Sequence, residues 1–292
     1  MSLKIMLSQF GKYLNLTKPR VMTLVIVTGA TALVMEGSFL SRPLEFVLVL
    51  LALYFSGGSA NALNQYFERD LDARMSRTRN RRPLPKKQLS PAQALTFAIG
   101  IGITSVAIFI FWFNWLSALL ALATILFYGL YYTLWLKPRT DLNIVIGGAA
   151  GAMAPLIAWA AASGTLAVTP AILFLIVFIW TPPHFWSLAL YFKEDYRGVG
   201  LPMMPLVRGD NATYKQILVY TVALLAVSLS LILAGGGPLY LAVAVVLGAL
   251  FLKKSINAKK RQLPRLSRAL FGYSIVYLFG LFFTIVVDSL IF

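Results

Sequence analysis

The sequence predicts an all-α, polytopic membrane protein of about nine transmembrane helices, on three observations. The chain is 59% hydrophobic and only 12% charged, against roughly 25% charged in soluble domains, and its mean hydropathy is +0.78. Apolar segments of about 20 residues recur, the length that crosses a ~30 Å hydrocarbon core; a β-barrel would instead show short alternating strands. The basic residues, finally, gather in alternate loops.

Spans are expected at residues 20–40, 44–65, 93–113, 116–136, 143–162, 170–191, 216–234, 238–252 and 269–288. All but Arg42 of the 26 lysines and arginines then fall on the side of the N-terminus and the even-numbered loops. The positive-inside rule makes that side cytoplasmic, and an odd number of spans sends Asp288 and Phe292 to the opposite face. Topology therefore accounts for the net charge of +16, and nucleic acid is not an expected partner. The lack of cysteine removes disulfides, iron–sulfur clusters, zinc–thiolate sites and covalent c-type haem. No cleaved signal peptide is expected; MSLKIMLSQFGKYLNL reads as an interfacial amphipathic helix on the cytoplasmic surface.

The polar segments 66–92 and 192–215 are too short to build cores of their own. Each follows an even-numbered span, begins with acids and runs into a basic loop containing Pro and Gly. One domain over 1–292 is expected, made of two pseudo-repeated four-helix halves, about 20–136 and 143–252, plus a ninth helix, about 269–288, with a polar site at the same place in each half. GATALVMEG (29–37), SGGSANAL (56–63) and GGAAGAMAP (147–155) predict close helix packing through small residues.

The stretch NQYFERDLDARMSRTRNRRPLP (64–85) sets acids beside arginines. If the second span continues past residue 65, Asn64, Glu68 and Asp72 fall at roughly 0°, 40° and 80° around the helix, and Asp70 at roughly 240°, on the other side. Three oxygen ligands on one face suit Mg²⁺, which is usually held by one or two carboxylates plus substrate phosphates, and the arginines could hold the remaining phosphate charge. An ordinary charged helix end is the other reading. In WTPPHFWSLALYFKEDYRG (180–198), His184, Tyr191 and Asp195 share one face of a continuous helix, within roughly 40° of each other. Asp195 then lies at the cytoplasmic end and His184, the only histidine, lies ~16 Å deeper, with a kink expected at Pro182 and Pro183. A polar intramembrane residue is a functional candidate; a histidine bonded for structure is the alternative.

Asn64-x-x-x-Glu68-x-x-x-Asp72, followed by Arg77-Thr78 and Arg82-Pro83-Leu84, resembles the first aspartate-rich motif of the UbiA superfamily of intramembrane prenyltransferases. Tyr191-x-x-x-Asp195 resembles its second motif. NALNQYFERDLDARMSRT (61–78), LKPRTDLNIVIGGAAGAMAPLIAW (136–159) and WTPPHFWSLALYFKEDYRGVGLPMMP (180–205) narrow the likeness to the protoheme-farnesylating branch. Position 68 is Glu where the family pattern carries Asp, and Tyr191 stands where many quinone-type relatives carry an acid.

The resemblance implies a UbiA-like bundle around a central chamber and transfer of farnesyl from farnesyl diphosphate to a vinyl group of haem B, with addition of water, giving haem O and diphosphate. It implies Mg²⁺ on Asn64, Glu68, Asp72 and Asp195. Lys137 and Lys193 are the leading candidates to stabilise the leaving diphosphate, with Arg77, Arg81 or Arg82, and Arg208 beside them. His184, Trp180 and Tyr191 are candidate haem contacts, with Phe185 and Trp186 as further chamber aromatics, each of which could equally be packing. The lipid bilayer is the medium, the cell inner membrane the expected location, and haem–copper oxidase assembly proteins are candidate partners. Two rivals remain: a UbiA-type enzyme for another aromatic acceptor such as a quinone precursor, and a haem or organic-anion transporter. The second is disfavoured because nearly all the acids lie at the rim.

Overall fold

A computed structural model describes residues 3–291, so Met1 and Ser2, at the start of the expected interfacial helix, and Phe292, expected on the face opposite the N-terminus, lie outside it. Among the described residues, helix α1 (Leu3–Leu16) precedes nine helices long and apolar enough to cross a membrane: α2 (Pro19–Glu36), α3 (Pro43–Phe67), α4 (Pro91–Phe113), α5 (Trp115–Leu136), α6 (Asn143–Ser163), α7 (Val168–Tyr191), α8 (Gly209–Ala234), α9 (Pro238–Arg261) and α10 (Pro264–Ile291). Several outrun the expected spans. α8 begins seven residues before 216 and α9 runs on to Arg261, because backbone hydrogen bonding continues into water where hydropathy has already fallen. α7 stays helical through Pro182 and Pro183.

Proline starts α2, α3, α4 and α9 at the first turn, where its missing N–H has no partner to lose. Ser90 and Gln93 form a reciprocal cap on α4, satisfying two otherwise orphaned donors. α3 packs on α4 and α5, α7 on α6 and α8, and α10 closes the bundle against α2, α7 and α9. Hydroxyls join helices across the apolar interior: Ser59 donates to the Ala98 carbonyl and Ser105 to that of Ala52. The small-residue stretches do pack closely. A Cβ on Gly148 would sit 2.8 Å from Thr181, and one on Gly29 would sit 2.5 Å from Leu53. Large apolar side chains such as Ile103, Val47 and Phe283 face outward, as a lipid-facing belt requires. Trp112 and Trp115 lie exposed at one end of the α4–α5 pair and Tyr131 and Trp135 at the other, the positions of interfacial aromatics.

Candidate active site

The site sits at the end of the bundle where α3 and α5 end and α2 begins. α3 stops at Phe67, and Glu68 (φ −91°, ψ 6°) joins it to a short helix, Arg69–Arg74. The expected unbroken helix is therefore interrupted, yet the 3.6-residue register survives: the Glu68 amide donates to the Asn64 carbonyl at 3.0 Å and the Asp72 amide to the Glu68 carbonyl at 2.8 Å. Asn64, Glu68 and Asp72 are all buried, while the Asp70 side chain is 90% exposed beside Arg69.

Three cations meet these residues. Arg82 Nη1 hydrogen-bonds Asp72 Oδ2 and lies 3.8 Å from Glu68 Oε2, so one guanidinium serves both carboxylates. Lys137 Nζ donates to Glu68 Oε1. Lys18 Nζ donates to Asn64 Oδ1 at 2.9 Å. Asn64 Nδ2 in turn donates to Thr133 Oγ1 at 3.2 Å, which leaves the amide oxygen turned to Lys18. Burial alone would raise Glu68, but Lys137, Arg82 and Lys18 outweigh it and hold the carboxyl below its ordinary value. Burial, aided by neighbouring Glu68, pushes Asp72 up despite Arg82. Burial of the Lys18 ammonium, with repulsion from Arg82, holds it well below the usual lysine range.

Local backbone aims each group. The last ten residues of α5, Phe127–Leu136, wind as a π-helix, a geometry that often marks functional sites. The wider turn carries Thr133 to Asn64 and ends with the Lys137 amide on the Tyr132 carbonyl. Lys18 has a left-handed backbone (φ 54°, ψ 66°), costly for a residue with a Cβ. The loop holding it is clamped to α3: Asn61 Nδ2 donates to the Thr17 carbonyl at 3.2 Å, and Gln65 Nε2 donates to those of Asn15 and Leu16 at 3.2 and 2.9 Å. Thr78 holds the arginine segment by donating to the Asp72 carbonyl at 2.8 Å. Of the adjacent arginines, Arg82 is turned in and Arg81 is exposed. Sequence reasoning passed over Lys18 as a topology charge; the Lys-Pro step that opens the first span was its only signal.

The second motif reaches this cluster differently from the expectation. α7 ends at Tyr191, Phe192 (φ −102°, ψ 31°) breaks the helix, and Asp195 belongs to a separate turn, Lys193–Arg197. His184 and Tyr191 thus share a face of α7, while Asp195 lies on the turn beyond it rather than on the same continuous helix. Asp195 nonetheless faces the first motif's loop, accepting from Ser76 Oγ at 2.7 and 2.8 Å and from the Arg77 amide at 3.2 Å. Arg77 lies 5.9 Å from the Tyr196 ring, and its Nε is buried without a partner. Lys193 pairs with Asp210 at 2.6 Å, and Arg208 forms a two-point pair with Asp141; neither is drawn to the acid cluster. Asn143 Nδ2 bonds the carbonyls of Thr140 and Pro202, which fastens the α5–α6 loop to the α7–α8 loop.

The chamber aromatics are redistributed too. Trp186 is fully buried, edge-on to Tyr220 at 5.3 Å, and is core. Trp180 is buried between α7 and α10 with Nε1 on the Ser274 carbonyl at 2.7 Å, so it packs rather than lines. Phe185 and Tyr191 are exposed, and Tyr191 carries the Arg268 guanidinium 5.6 Å from its ring centre. His184 is buried between Trp180 and Phe271, with Nδ1 2.7 Å from Ser274 Oγ.

Among the described residues no three His, Asp or Glu side chains converge on one point to hold an ion by themselves. The donor set still suits Mg²⁺. Two buried carboxylates already share one cationic nitrogen, and an ion that keeps waters and takes phosphate oxygens needs no complete protein cage.

Paired acids lie among cations at the rim of a bundle of nine membrane-length helices, and the chain is an intramembrane enzyme of the UbiA prenyltransferase family, whose match spans residues 24–284. More particularly, curated relatives of high similarity are named protoheme IX farnesyltransferase. That of Erythrobacter litoralis is 45% identical over 282 residues, covering 94% of this chain and 91% of its own. That of Symbiobacterium thermophilum is 46% identical over 281 residues, covering 94% and 93%. Among solved structures, one described as a digeranylgeranylglyceryl phosphate synthase in membranes matches with a TM-score of 0.79 at 18% identity, over 97% of this chain and 99% of that one. A UbiA homologue from Archaeoglobus fulgidus bound to DMAPP and Mg²⁺ matches with a TM-score of 0.65 at 18% identity, over 91% and 99%. These two matches establish the shared fold.

Proposed function

We propose that this multi-pass membrane prenyltransferase transfers farnesyl from farnesyl diphosphate to a vinyl group of haem B, with addition of water, releasing diphosphate and haem O. The observation that carries the reading is the buried Glu68–Asp72 pair ringed by Arg82, Lys137 and Lys18, in a chain about 45% identical to protoheme IX farnesyltransferases over nearly its whole length.

Asn64, Glu68 and Asp72 would hold Mg²⁺, with Asp195 as the candidate donor from the second motif, and the ion would supply charge for the departing diphosphate. Arg82 and Lys137, which hold the acids here, and Lys18, which holds the Asn64 amide oxygen, would turn their hydrogen bonds to the phosphate oxygens of the substrate. Arg77, anchored at its amide by Asp195, is the next cation along the loop; Arg208 and Lys193 act at longer range by binding the loops together. A site closed to bulk water would let the cation formed as the C–O bond breaks meet the haem vinyl carbon first. Water then adds to the vinyl-derived cation and gives up a proton. The two four-helix halves remain our reading of how two motifs came to face one substrate. The cytoplasmic N-terminus, the opposite placement of the C-terminus, the inner-membrane location and oxidase assembly partners belong to this proposal.

Membranes containing the chain, supplied with Mg²⁺, farnesyl diphosphate and either haem B or 4-hydroxybenzoate, decide it by mass spectrometry. Hydroxyethylfarnesyl haem is expected from the first acceptor only, and is expected to vanish in Asp72→Asn. Prenylation of 4-hydroxybenzoate instead would overturn the acceptor. Undiminished product from Asp72→Asn would overturn the metal site.

A further inference from the structure

His184 has a feature that packing does not explain. A buried histidine serving only structure has both ring nitrogens satisfied. Here Nδ1 has a partner, Ser274 Oγ at 2.7 Å, and Nε2 bonds to no described residue. Nε2 is also not one of the three sealed side-chain atoms without partners, which are Gln65 Oε1, Arg77 Nε and Trp186 Nε1; it keeps accessible surface.

The partner on Nδ1 fixes the tautomer. Ser274 has one hydroxyl proton, and that hydroxyl donates to the Phe271 carbonyl at 2.6 Å. With that proton on the Phe271 carbonyl, the contact with His184 is one in which the ring donates: Nδ1 carries the hydrogen and Ser274 Oγ accepts it. A neutral imidazole has a single N–H, so Nε2 holds a lone pair. Ser274 is itself fixed, because Trp180 Nε1 donates to its carbonyl at 2.7 Å. The imidazole cannot turn over either. Trp180 stacks on it at 4.2 Å and 21°, Phe271 at 4.5 Å and 29°, and Phe185 meets it edge-on at 4.9 Å.

We infer that Ser274 is a positioning residue that locks His184 with its Nε2 lone pair presented as the axial ligand for the iron of the haem acceptor. This rests on the haem-farnesylating reading above. The hydrogen bond made by one ring nitrogen decides which nitrogen meets a metal, and an acceptor on that N–H also raises the basicity of the other nitrogen. No covalent step is involved: His184 binds and orients the macrocycle, and the transfer chemistry stays at the diphosphate end.

The test uses the purified full chain in detergent, titrated with haem B, reading the dissociation constant and the absorption and resonance Raman signatures of histidine-ligated iron, with melting temperature and farnesyl transfer measured separately. His184→Ala is expected to lose the histidine signature. Ser274→Ala is expected to weaken haem binding roughly tenfold and to shift the signature, and Ser274→Thr, which keeps the acceptor oxygen, is expected to restore both. Wild-type affinity and spectrum in Ser274→Ala overturn the inference, whether or not the melting temperature falls. A wild type that binds and farnesylates haem without a histidine signature overturns the iron bond while leaving farnesyl transfer intact. Failure of the wild type to farnesylate haem at all overturns the reading beneath it, and is seen in the product assay rather than in the spectra.

Discussion

Two carboxylates sharing one guanidinium are held together only while the cation is there. Replacing Arg82 strands Asp72 and Glu68 side by side in a buried site, and breaking such a pair costs about 3 kcal/mol. Arg82→Leu is therefore expected to lower the unfolding free energy in detergent by about that amount as well as to abolish turnover. Exposed Arg81 gives a contrast on both counts: Arg81→Leu is expected to leave stability within about 0.5 kcal/mol of the wild type. Lys18 is the residue the sequence undersold. A charge-assisted hydrogen bond is worth about 1.5–3 kcal/mol, so Lys18→Met is expected to raise the KM for prenyl diphosphate roughly tenfold or more while leaving the KM for the acceptor nearly unchanged. Exposed Lys86→Met is the control, and equal effects of the two on steady-state kinetics would remove Lys18 from the site. Glu68, Asp72 and Asn64 were legible because a 3.6-residue repeat needs no tertiary information. Arg82 over Arg81, and Lys193 turned aside to Asp210, were not, because long flexible side chains choose partners only once the loops are placed.

At the scale of elements, the joints carry the information. α5 ends in a π-helix that brings Thr133 and Lys137 to α3, and Phe192 ends α7 so that Asp195 can reach the Ser76–Arg79 turn. The clamp of Gln65 on the carbonyls of Asn15 and Leu16 makes α3 the support for Lys18. Gln65→Leu is expected to raise the KM for prenyl diphosphate in the same sense as Lys18→Met, and combining the two should add little, since both act through one ammonium. At the other end of the bundle Asp288, expected to emerge from the membrane, is buried. It accepts from the amides of Gly237, Leu239 and Tyr240 and so caps α9 from α10. Removing such a cap costs about 2 kcal/mol; a melting curve of Asp288→Ala should show that loss, and Asp288→Asn only part of it.

For the whole molecule, the decisive quantity is which end of the bundle faces the cytoplasm. With no native cysteine, single cysteines can be placed freely. Arg81→Cys, on the face of the acid cluster, is expected to react with an impermeant thiol reagent only when the cytoplasmic face is open to it. Ser38→Cys, in the exposed α2–α3 turn, is expected to react from the opposite side. The reverse pattern would invert the topology. The sequence by itself determined the span number, the sidedness of charge, the two acidic motifs and the family likeness, because bilayer thickness and helical periodicity act on short stretches of chain. Tertiary structure alone decided which cations meet the acids, that Lys18 joins them, that Trp180 and Trp186 pack rather than line, and which nitrogen of His184 is left open. Each of those depends on side chains distant in sequence competing for the same buried partners, and only the packed bundle sets the distances that settle the competition.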